Sequence, residues 1–142
     1  GITPSETYPK VFGVVMDLSV SNHHAATVVS MCDGHASLYT TSTFGILGGI
    51  GHEAVRNAST NFVKAAQSHY DEGLSVTNHP YPSENHVKFY LLGFDGVRVI
   101  DAKISDVETG KHKQSKLWES GQQVLTELRL LGEKLKTAPS PN

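Results

Sequence analysis

A chain of 142 residues, 38% hydrophobic and 18% charged, is long enough for one domain with a single core. Twelve Lys and Arg against fourteen Asp and Glu leave a net charge of −2, which argues against a protein held on nucleic acid by a basic field. No apolar run approaches the roughly 20 residues of a membrane-spanning helix. The eight histidines and single cysteine form no box with metal-ligand spacing, so no metal or other cofactor is expected.

In chain order, residues 1–10 carry Pro4 and Pro9 without periodicity and read as an extended lead-in to a core over 11–136. Residues 11–20 alternate, with Phe12, Val14, Met16, Leu18 and Val20 on one face of a strand. After a turn at Ser21–His24, strands over 26–32 and 35–42 flank Asp33-Gly34, a two-residue signal for a type I′ hairpin. That turn opposes residue 32 to 35 and 31 to 36. Val29, Met31, Ala36 and Leu38 then face the core, while Val28, Ser30, Cys32, His35, Ser37 and Tyr39 face away.

A helix follows over 52–71, with Val55, Ala58, Phe62, Ala65, Ala66 and His69 on one stripe. Strands over 86–94 and 97–104 flank Asp95-Gly96 in a second hairpin. Val87, Phe89, Leu91, Ile100, Ala102 and Ile104 share its inner face. A last helix over 116–135 carries Leu117, Gly121, Val124, Leu128, Leu131 and Leu135 on its apolar stripe, and residues 137–142 read as a disordered tail. The order β-β-β-α-β-β-α predicts a single α+β domain: a five-stranded antiparallel sheet with two helices on one face. This layout is similar to the profilin-like and roadblock-type folds, a resemblance that implies a binding or scaffolding role.

The outer face of the second hairpin carries Tyr90, Leu92, Phe94, Val97 and Val99, too apolar for a solvated face. One reading is an interface, which predicts a homodimer or a protein partner. The other is cover by residues 1–10 or by the loop Asn78–Asn85. Asp17 stands opposite the apolar stripe of its strand. Were that strand central, Asp17 would meet Tyr90 or Asp101 on the outer face.

The stretch Thr43–Arg56, "TFGILGGIGHEAVR", raises the question of a phosphate site. His52 and Glu53 follow Gly51 where a P-loop needs Lys and Ser or Thr. Residues 49–54 match G-x-G-x-x-A, but no parallel βαβ unit surrounds them. Two readings remain. The glycines make a tight strand-to-helix passage, or the amides of Gly48, Gly49 and Gly51, with Arg56, hold a small anion that His52 would tune with pH and Glu53 would oppose. As catalytic alternatives, His52/Glu53 is an acid–base pair. Cys32/His35, cross-strand neighbours in the I′ hairpin, are a nucleophile and base.

Leu38, Tyr39, Gly48, Gly49, Gly51, His52, Glu53, Val55 and Arg56 also match a segment, Leu-Tyr followed by Ile-x-Gly-Gly-x-Gly-His-Glu-x-Val-Arg, of small uncharacterised bacterial proteins. The resemblance brings a site, centred on His52, Glu53 and Arg56, and no activity. The expectation is a non-catalytic, self-associating ligand- or protein-binding module, with a small hydrolase as the rival. A lone cysteine favours a reducing, cytoplasmic compartment.

Overall fold

The structure, a computed structural model, describes residues 3–20, 24–40, 47–48 and 52–137. The strands are β1 (Val11–Ser19), β2 (Ala25–Met31), β3 (Ala36–Thr40), β4 (Leu47–Gly48), β5 (Leu74–Ser75), β6 (His86–Gly93) and β7 (Gly96–Lys103). The helices are α1 (Glu53–Ala66), which runs into a 3-10 turn over Gln67–Glu72, α2 (Ile104–Val107) and α3 (Ser115–Thr137). Every strand pair is antiparallel, and the open sheet runs β4-β3-β2-β1-β6-β7-β5. The mixed α+β architecture is as read from the sequence, but the sheet exceeds five strands, and a short third helix, α2, follows β7 where two helices were expected. Two-residue strands, β4 and β5, extend its two edges, and two residues carry no periodicity to detect.

β1 is central, between β2 and β6, and its alternation is broken once. Val11 opposes Gly93 while Gly13 opposes Leu92, so Phe12 is an extra residue in a β-bulge. The inner stripe is therefore Val11, Val14, Met16 and Leu18, all buried. Phe12 leaves the stripe and lies half-buried with its ring 5.4 Å from that of Phe94.

The first hairpin departs from the expected register by one residue. Ser30 opposes Ala36 and Val28 opposes Leu38, while the Met31 N–H donates to His35 O at 2.9 Å. The turn thus holds three residues, Cys32, Asp33 and Gly34, with Gly34 at φ +98°. Three-residue hairpins place a left-handed residue at this position, and glycine adopts it without a Cβ penalty. A one-residue slip reverses the faces of one strand relative to its partner. Val28 and Ser30 consequently join Ala36 and Leu38 inside, and Val29 and Met31 turn outward, half-buried.

In the second hairpin Gly93 opposes Gly96, so Phe94 and Asp95 form the turn. Relative to a turn at Asp95-Gly96 the register moves by two, which preserves the faces. Val87, Phe89, Leu91, Ile100 and Ala102 are buried beneath the helices.

Helices α1 and α3 cover the same sheet face. Phe62 of α1 meets Phe89 of β6 edge-on, with ring centroids 6.3 Å apart. Gly121 of α3 lies so close that an added Cβ would sit 2.6 Å from Met16 Sδ and 3.0 Å from Phe62 Cζ. The predicted stripes are largely the buried ones: Val55, Ala58, Phe62 and Ala66 in α1, and Leu117, Val124, Leu128 and Leu131 in α3. Gln67 pins the end of α1 to the sheet. Its Oε1 accepts from the Lys10 and Val11 N–H groups, each at 2.9 Å, and its Nε2 donates to Val11 O at 2.7 Å.

Candidate functional site

Much of the glycine stretch falls outside the described residues, including Gly45, Gly49 and Gly51. Gly48 is described, as the partner of Ser37 in β4. His52 is the extended residue before α1, without a side-chain capping bond, and it and Glu53 are both exposed. No hydrogen bond joins the two among the described residues. The Arg56 side chain lies across the β2–β3 turn, its Cγ 3.2 Å from where a Cβ on Gly34 would be. A hollow of about 170 Å³ beside His52 is lined by Ala54, Val55, Glu127, Leu130 and Leu131. Glu127 makes that hollow unwelcoming to an anion.

The Cys32/His35 pair is not formed as expected, because the longer turn takes the two residues out of opposition. Cys32 is half-buried at the first turn position, and the His35 ring instead meets Asp33, Nδ1 to Oδ2, at 2.8 Å. Desolvation and the Asp33 charge push the Cys32 thiol above its ordinary pKa. An activated nucleophile requires the opposite shift.

The outer face of the sheet is more informative. Across it, Val29, Val15, Tyr90 and Val99 form one row, and Thr27, Asp17, Lys88 and Asp101 the next. β1 is central, so Asp17 and Tyr90 do come together. Asp17 is only 8% exposed, and its Oδ1 accepts a hydrogen bond from Thr27 Oγ1 at 2.6 Å. Tyr90 is 2% exposed; its hydroxyl donates to Pro80 O at 3.2 Å, and the His79 ring lies 4.9 Å from its own, tilted by 49°. The loop Asn78–Asn85 therefore covers Tyr90. Leu92, Phe94, Val97 and Val99 remain half-buried.

Between loop and sheet a cleft of about 260 Å³ is lined by Val15, Asp17, Thr27, His79, Tyr90 and Leu92. Its walls are apolar and aromatic, and its floor holds one carboxylate. Desolvation, followed by the charges of Asp17 and Asp101, pushes the Tyr90 phenol above its ordinary pKa. Asp101 is itself held by His86, Nδ1 to Oδ1, at 2.6 Å. Lys88 neighbours Asp17 across the ladder, but its ammonium donates to Pro80 O at 3.4 Å and makes no ion pair with Asp17.

Thr27 and His79 had no place among the residues singled out from the sequence. Thr27 is recognisable only once the β2 register is known, and His79 reaches the sheet through a loop without periodicity. A larger groove of about 530 Å³ follows the β7 edge past His86, Asp101, Asp106 and His112. Among the described residues, no three His, Cys, Asp or Glu side chains converge as a metal ion would need. No helix among them is long and apolar enough to cross a membrane. Comparison with known families, curated proteins and solved structures finds no match.

Proposed function

We propose that this chain is a non-catalytic binding module whose working surface is the outer face of its sheet, with the Asp17–Tyr90 cleft as its ligand site. The observation that carries this reading is a carboxylate 8% exposed on the floor of an apolar, aromatic-walled cleft. A few polar groups converging in an apolar pocket are the usual build of a small-molecule site. The raised Cys32 thiol and the unbonded His52 and Glu53 favour binding over hydrolysis. The profilin-like or roadblock-like plan expected from the sequence belongs to the same proposal.

An amide-resolved NMR screen with small organic compounds tests it. The expected result is saturable shifts confined to Val15–Asp17, Thr27 and Tyr90–Leu92. Shifts confined instead to the start of α1, on titration with inorganic phosphate, would move the site to Gly48–Arg56 and sink this assignment.

A second role of the same face is favoured by its half-buried apolar strip, Met31, Leu92, Val97 and Val99. Such strips are contact surfaces in many proteins, and a second copy of the chain is the partner proposed. Sedimentation across a wide concentration range should reveal a dimer that Val97→Lys dissociates. A monomer at all concentrations would remove this role.

A further inference from the structure

A buried carboxylate is costly unless hydrogen bonds and an opposite charge compensate it. Asp17 receives one neutral hydrogen bond, from Thr27, and its Oδ2 has no protein partner among the described residues. The Lys88 ammonium is turned to the Pro80 carbonyl, and the Tyr90 hydroxyl donates to the same oxygen. Neither is spent on the carboxylate. A second negative charge, Asp101, lies near enough to act on Tyr90. The cleft thus sets the Asp17 carboxylate beside Val15 and Leu92, with the Tyr90 and His79 rings packed on each other at its wall.

That combination selects its ligand by charge. An anion would be repelled by Asp17. A calcium ion needs six to eight oxygen ligands, roughly, and among the described lining residues only Asp17, Thr27 and Tyr90 carry side-chain oxygens. An organic cation fits both halves, with its charge on Asp17 Oδ2 and its body against the apolar wall of Val15 and Leu92. The size of the ligand is bounded as well. The cleft, at about 260 Å³, lies below the range of roughly 300–1,000 Å³ typical of drug-sized ligands.

We infer that the cleft binds a small organic cation: a primary ammonium or amidinium group on a compact apolar or aromatic body. The ammonium pairs with Asp17 and the body packs against Val15, Thr27 and Leu92. This inference rests on the reading of the cleft as a ligand site and adds the ligand's chemical class.

The test is an NMR titration of the whole chain with benzylammonium, benzyl alcohol and benzoate. Benzylammonium should shift the Val15, Asp17, Thr27 and Tyr90 amides saturably. Benzyl alcohol should bind at least about tenfold more weakly, and benzoate should not bind. Asp17→Asn should cost benzylammonium about tenfold or more, while Lys88→Gln, which removes a neighbouring positive charge, should tighten it. Equal binding of the alcohol and the ammonium would overturn the cation preference and leave the cleft a ligand site. Silence with all three probes would overturn both readings. The three-probe comparison uses the unaltered chain, so it stands even where Asp17→Asn fails to fold.

Discussion

Two glycines show how a single missing methyl group sets packing. A Cβ on Gly93 would lie 2.6 Å from the Tyr70 hydroxyl oxygen, and that ring is held by a hydrogen bond to Gly96 O at 2.8 Å and by the Arg98 guanidinium 4.4 Å above it. A Cβ on Gly121 would meet the thioether of Met16, a chain with rotatable bonds to spare, and at 3.0 Å the tip of the Phe62 ring. Overpacking costs about 1–3 kcal/mol, and glycine-to-alanine in a helix returns about 1 kcal/mol. Gly93→Ala should therefore destabilise clearly and Gly121→Ala much less, as urea midpoints at constant slope would show. Cys32 offers a second check at this scale. Half-buried and with its thiol pushed up, it should react with iodoacetamide more slowly than free cysteine at neutral pH. A faster reaction would restore it as a candidate nucleophile.

At the scale of the element, the β2–β3 turn depends on one backbone conformation. Gly34 is at φ +98° and is overlain by Arg56, so Gly34→Ala adds strain and crowding together. Its expected cost exceeds about 1 kcal/mol, read from the same urea midpoints. If the variant is as stable as the parent, the three-residue turn is not the native one. The same hairpin marks the limit of sequence reading. Asp33-Gly34 announces a turn without saying whether two or three residues form it, and that one residue decides which face of β2 is buried. The bulge at Phe12 is equally silent, since it inserts a residue without changing composition. The long helices were legible, because a stripe repeated over four or more turns leaves little freedom. The second hairpin's faces survived a register error because the error was even. Half the cleft was legible too: an acid in an apolar strand and a tyrosine among surplus apolar residues. Its other half depended on the β2 register and on a loop that folds back over the sheet.

For the whole molecule, three groups link folding to alkaline pH. Burial raises the pKa of Tyr90 (aided by Asp17 and Asp101), of Tyr8 (aided by Cys32) and of Cys32 (aided by Asp33). A group whose folded pKa is raised contributes its stability fully below the unfolded value, and loses it as pH climbs through the folded one. Stability should therefore decline as pH passes about 8.5 for the thiol and about 10 for the phenols. Urea unfolding at stepped pH checks this, and Tyr90→Phe should flatten part of the decline. At acid pH the sign reverses. The backbone N–H of His35 lowers the pKa of Asp33, and Lys10 lowers that of Asp71. Their contribution is present above about pH 4 and fades below it. Both are exposed carboxylates, so acid should cost little through them.

The brevity of β5 has its own consequence. It pairs only with Val99 and Arg98, so Ile100–Lys103 of β7, paired with β6 on one side, has no strand on its other side among the described residues. The Ile104 N–H donates to Asn85 O on the β6 side, so by alternation the backbone groups of Asp101 and Lys103 face outward. A bare strand edge is a template on which another chain can extend the sheet, and charged side chains along it are what discourages such growth. Asp101 and Lys103 are both exposed there, one acid and one base, alternating with the buried Ile100 and Ala102. Lys103→Val should leave the fold intact and make the protein prone to fibrillar assembly, seen as thioflavin fluorescence rising with concentration. The two charges would then be the guard that lets this sheet end where it does.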